Sequence, residues 1–143
     1  MLDASVVSML TRMSNLEVAR PWTIWTFRVL VSLAAVSAFV QPFLAGSYLS
    51  GHFEALDVHA DNGELAAILT LLTTIAAVLM WKPGGGPSWP AAVCAGIFVA
   101  EGAEIALGYS GVLVIHIPLG TAILAAFVVL LLRVWRPAPA ALQ

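Results

Sequence analysis

Four long apolar stretches alternate with short polar ones along the chain, at about residues 24–46, 64–81, 91–108 and 112–135. Each approaches the roughly 20 residues that an α-helix needs to cross a hydrocarbon core. The second and third are short, but Trp81 and Trp89 flank them and local thinning of the bilayer can absorb the mismatch. Between those two, "KPGGGPSWP" breaks any helix, because its prolines lack a backbone donor and its glycines favour a turn. The pattern predicts an all-α fold, an integral membrane four-helix bundle over residues 23–136. Ahead of it, residues 1–22 are too polar to span and show no small-residue cleavage site after an apolar core, so they do not read as a cleaved signal peptide. Val6, Val7, Met9, Leu10, Met13 and Leu16 fit a helix lying along the membrane surface, and a mobile terminus fits them too. Residues 137–143 form a short tail.

Composition narrows the class of protein. With 61% hydrophobic residues, 10% charged residues and a mean hydropathy of +0.97, a soluble domain of 143 residues is excluded, since its surface alone would need more charge. The surrounding partner is membrane lipid. A net charge of −2 offers no basic surface for nucleic acid. Cys94 is the only cysteine, so no intrachain disulfide can form.

Charge is segregated along the chain. With four spans, Arg12, Arg20, Arg28, Lys82, Arg133 and Arg136 all fall on one side, which the positive-inside rule makes cytoplasmic. Both termini are then cytoplasmic, in a membrane crossed several times. The other side receives Glu54, Asp57, Asp61 and Glu64 together with His52, His59 and His116. Polar chemistry is concentrated at the outer end.

That end also carries an internal repeat. The first span closes "QPFLAGSY" and the third closes "EIALGY", each with a polar residue three before a leucine. The second span opens "HADNG" and the fourth "HIPLG", each with a histidine four before a glycine. Two such hairpins would be related by a pseudo-twofold axis along the membrane normal, which sets His59 and His116 at equal depth on facing helices. A shared ligand is the natural use of that geometry. Two neutral imidazoles can hold a haem iron from both faces, with bonds of about 2 Å as for other imidazole–metal pairs. A flat ring needs small neighbours, and Gly63 and Gly120 lie one turn below the two histidines. Ala92, Gly96, Ala100, Glu104 and Gly108 make a further small-residue stripe on span three, which close helix packing would explain equally well. His52 has no counterpart and reads as solvated. Gln41 and Glu104 hold equivalent repeat positions about one turn inside the boundary, where an ionisable group is costly and suggests function. A purely structural hydrogen bond within the bundle is the other reading. Glu101 lies one turn deeper and could be protonated and inert.

These features resemble one half of haem A synthase: "QPFLAG" closing the first helix, a histidine opening the second, "EIALG" closing the third and "HIPLG" opening the fourth. The similarity runs over about residues 24–135 and extends to small four-span bacterial membrane proteins. It implies a four-helix haem-binding unit in which His59 and His116 are the axial ligands at the outer side. The chain has the length of one such half, lacks a cysteine pair in its outer loop 47–62, and carries Glu104 where the first copy has Gln41. The resemblance thus implies binding of one haem b, with electron transfer or haem handling as its use and a redox partner or quinone as its counterpart. Two other classes stay open. Glu101 or Glu104 could join the histidines around copper, zinc or non-haem iron. Alternatively the chain could be a cofactor-free accessory subunit or small transporter, alone or as a homo-oligomer.

Overall fold

In a computed structural model that describes residue 3 and residues 19–136, the chain forms four helices: α1 (Pro21–Leu49), α2 (Ala55–Trp81), α3 (Trp89–Tyr109) and α4 (Leu113–Val134). All four are long and apolar enough to cross a membrane. The expectation of a surface helix or mobile terminus over residues 1–22, the placement of Arg12 and the tail at 137–143 fall outside the described residues, apart from Asp3 and the segment from Ala19 on.

Each helix packs against its neighbours in a closed ring, α1 on α2, α2 on α3, α3 on α4 and α4 back on α1. The apolar core sits in the half away from the histidines. Phe27, Val31, Ala34 and Ala35 of α1 meet Ala77 and Met80 of α2, Cys94 and Ile97 of α3, and Phe127, Leu130 and Val134 of α4 there. In a bilayer, such contacts are held by close van der Waals packing rather than by expulsion of water.

The ring is closed at the same end by polar and aromatic groups. Arg28 Nε donates to Val134 O at 3.2 Å, and its guanidinium lies over the Trp25 and Trp135 rings at 5.3 and 5.2 Å. Trp135 Nε1 donates to Ser32 Oγ at 3.2 Å. This end therefore carries the basic residues Arg20, Arg28, Lys82, Arg133 and Arg136, and the opposite end carries the histidines.

Two differences from the hydropathy pattern matter. Helix α2 starts at Ala55, nine residues before the apolar run, so His59 and Asp61 stand on a helix rather than in a loop. Hydropathy measures the hydrocarbon layer, whereas a helix can continue above it when its first turn carries an acidic residue such as Asp57 that suits the helix dipole. Second, the loop expected over residues 47–62 shrinks to residues 50–54, and the two turns at the histidine end use one device. Ser50 and Ser110 cap α1 and α3, and each is followed by a glycine with positive φ, Gly51 at 97° and Gly111 at 72°. A left-handed residue after the last turn ends a helix at little cost only if it is glycine.

Candidate functional site

The repeat read in the sequence is a repeat in space. In the first hairpin His59 Nδ1 lies 3.3 Å from Gln41 O, and in the second His116 Nδ1 lies 3.0 Å from Glu104 O. A side chain on Gly63 would have its Cβ 2.9 Å from Gln41 Nε2, and one on Gly120 would be 2.6 Å from Glu104 Oε1. Each hairpin thus seats a polar side chain of its first helix against a glycine of its second. The same first-helix residue offers its carbonyl to the histidine one turn above that glycine.

This arrangement revises the part assigned to the two glycines. They were expected to clear space for a flat ring, and the space they clear is taken by Gln41 and Glu104. The stripe on α3 is revised as well. Ala92 and Gly96 are exposed, and a Cβ on Gly96 would meet nothing within 4 Å, so the stripe is not a helix–helix seam along its length. It packs from Ala100, which lies on the apolar core, to the histidine end, where a Cβ on Gly108 would lie 3.1 Å from His116 Cε1.

Across the bundle, α2 and α4 are diagonal partners, and His59 and His116 meet between them. Their ring centres are 6.1 Å apart with planes at 66°. A backbone carbonyl can only accept a hydrogen bond, so each Nδ1 must carry the proton, and in the neutral ring that leaves Nε2 with a free lone pair. Histidines that bind metals are characteristically oriented in this way, through the other ring nitrogen. His116 has a further acceptor, Glu104 Oε1 at 3.1 Å from the same Nδ1.

Not every candidate joins this group. His52 is exposed in the turn between α1 and α2, as its lack of a repeat counterpart suggested. Glu101 is buried apart from the histidines and bonds Thr70 of α2. Among the described residues no three His, Cys, Asp or Glu side chains converge in a metal-binding group. Glu104 approaches His116 through the nitrogen that faces away from any shared ligand, so it orients the imidazole rather than adding a third donor. Sequence reasoning missed the Ser-Gly pairs of the two outer turns, although "SG" at 50–51 and 110–111 was a legible signal. It also missed the reciprocal bonds between Ser37 and Asn62, Oγ to Oδ1 at 3.0 Å and Nδ2 to the Ser37 carbonyl at 2.9 Å.

No family model matches this chain, and neither does any curated protein or solved structure. The functional reading therefore stands on the residues themselves.

Proposed function

We propose that this is a haem b-binding membrane protein that moves electrons or handles haem near the outer face of a bacterial inner membrane. One observation carries the reading: two imidazoles on diagonal helices, each with Nδ1 committed to a carbonyl, with ring centres 6.1 Å apart. Two Fe–N bonds of about 2 Å, plus roughly 1 Å from each nitrogen to its own ring centre, require a separation of about 6 Å. The donor set suits an iron that needs two protein ligands and takes its other four from a porphyrin. It suits a non-haem metal less well, because among the described residues no third side chain is in place.

A bound haem would supply a one-electron carrier. The chain's own contribution is to hold His59 and His116 in one tautomer through the Gln41 and Glu104 carbonyls. Glu104 adds a carboxyl behind His116, which strengthens that imidazole as a donor. The flanking polar groups lie at the outer end, where a soluble redox partner or a quinone could approach.

The test is the visible spectrum of protein expressed with ample haem and purified in mild detergent. Six-coordinate, low-spin haem gives a sharp split band on reduction and no response to carbon monoxide. His59→Ala or His116→Ala should abolish that spectrum, and His52→Ala should leave it unchanged. A well-folded, colourless protein would overturn the reading. Elemental analysis would then separate a His/Glu site for copper, zinc or iron from a cofactor-free accessory subunit or transporter.

A further inference from the structure

Glu101 takes no part in the histidine site, yet it is the most deeply buried acid among the described residues. It is 5% exposed. At a rise of 1.5 Å per residue it stands about 4.5 Å further into the bundle than Glu104. Thr70 Oγ1 lies 3.0 Å from Glu101 Oε1 and also 3.0 Å from Ala66 O. Glu101 Oε2 has no hydrogen-bond partner.

A hydroxyl has a single hydrogen, so two arrangements can share these positions. With Glu101 ionised, Thr70 donates to Oε1, and a negative charge stays inside the membrane with one bare oxygen, which is costly. With Glu101 protonated, its own O–H donates to Thr70 Oγ1, and Thr70 donates onward to Ala66 O. Every hydrogen then has an acceptor. Gain of one proton reverses the Thr70–Glu101 bond and frees the Thr70 hydrogen for Ala66 O, and loss of that proton undoes both changes.

Among the described residues, the groups facing Glu101 leave it without a fixed countercharge. Beside Thr70, the ionisable residues of α2 are Asp57, His59, Asp61, Glu64 at the outer end, a turn or more above. α4 brings His116 above and Arg133 below, with Ile123 and Phe127 buried between them. α1 brings Arg28, which is tied to Val134 O at the far end. On α3 itself, Glu104 lies above and the buried Cys94 about two turns below.

We propose that Glu101 is a proton-binding site in the membrane interior, taking up one proton when the haem held by His59 and His116 accepts one electron and releasing it on oxidation. The coupling rests on the haem reading, whereas the proton site does not. The ferric iron–porphyrin core of a haem held by two neutral imidazoles would carry one net positive charge, which favours the Glu101 carboxylate. A one-electron donor removes that charge by reducing iron to the ferrous state. A proton from water then converts the carboxylate to the acid, and the net charge of the interior returns to its starting value.

Two measurements on the full chain test this. Dicyclohexylcarbodiimide modifies protonated carboxyls in apolar surroundings, and infrared spectroscopy detects their C=O stretch where packing excludes the reagent. An adduct or a band present in the wild type and lost in Glu101→Gln is expected. Gln keeps the shape and can donate to Thr70, so the variant should fold. The haem midpoint potential should fall with rising pH by up to about 59 mV per tenfold change in proton activity, and the slope should flatten in Glu101→Gln. Equal slopes in the two proteins would overturn the coupling. Absence of both adduct and band, or protection of the adduct by sodium ions at fixed pH, would overturn the proton site. Protein that never takes up haem would overturn the coupling along with the haem reading, and the adduct and band would still decide the proton site.

Discussion

In the first hairpin Gln41 lies against Gly63 and lends its carbonyl to His59; in the second Glu104 lies against Gly120 and lends its carbonyl to His116. The scaffold is shared, and the differences fall into two kinds. The first hairpin is pinned by the Ser37–Asn62 bonds, where the second has Ala100 and Leu119 packed on the apolar core. The second has an ionisable group behind its histidine, where the first has a neutral amide. It also has Gly108 where the first has Ala45, and its histidine sits closer to its carbonyl, at 3.0 Å rather than 3.3 Å. One copy carries an extra pair of hydrogen bonds between its helices. The other holds a tighter, more polar imidazole, and the deeper acid Glu101 belongs to that copy as well.

The largest expected effect concerns the axis relating the hairpins, because labelling is nearly all or none. Cysteines placed singly at Ser50 and Ser110, in a background with Cys94→Ala, should both react with an impermeant thiol reagent added to intact cells. A cysteine at Ser88 should react only after permeabilisation. Ser50, Ser88 and Ser110 are all exposed, so access and not burial decides the result. Labelling at Ser88 alone would turn the protein over and put the histidines at the cytoplasmic face. Unequal labelling of Ser50 and Ser110 would break the symmetry of the two hairpins.

A smaller effect is expected from filling the glycine niches. Gly120→Ala brings a Cβ to 2.6 Å from Glu104 Oε1, and Gly63→Ala brings one to 2.9 Å from Gln41 Nε2. Both must displace the end of a flexible side chain, so each costs less than the roughly 1–3 kcal/mol of overpacking a rigid core. Thermal unfolding in detergent, followed by circular dichroism, should rank the wild type above Gly63→Ala and Gly63→Ala above Gly120→Ala. The reverse order would mean that the amide, not the carboxyl, is the more tightly seated group.

How far the sequence reveals this site follows from which contacts obey a period. His59 with Gly63 and His116 with Gly120 are four apart on one helix, and that spacing fixes a shared face without further knowledge. The four spans are equally legible, because hydropathy reports the hydrocarbon layer directly. What enters the niche beside each glycine is not legible, since Gln41 and Glu104 arrive from another helix whose rotation no spacing specifies. The outward start of α2 escapes a hydropathy reading because Asp57, His59 and Asp61 are polar and helical at once. Thr70 gives no signal at all, as a threonine bonding its own helix backbone four residues back is common in membrane helices. Its second contact, to Glu101, exists only in three dimensions.

The smallest effect is the most specific to the difference between the hairpins. If Glu104 is charged, Glu104→Gln removes a negative group behind His116 and should raise the haem midpoint potential, because the oxidised iron loses a favourable interaction. Gln41→Glu adds such a group behind His59 and should lower it. A charge several ångströms away at an effective dielectric constant near 20 is worth on the order of 1–2 kcal/mol. For one electron that is about 40 to 90 mV. Potentiometric titration should therefore order the proteins Glu104→Gln, wild type, Gln41→Glu from highest to lowest, and the double exchange should return close to the wild-type value because the site is nearly symmetric. A potential indifferent to Glu104→Gln across the pH range, with Gln41→Glu still effective, would mean that Glu104 is uncharged beside His116. Its role would then match that of Gln41, a neutral side chain filling a glycine niche, and the electrostatic contrast between the two hairpins would vanish while their common architecture remained.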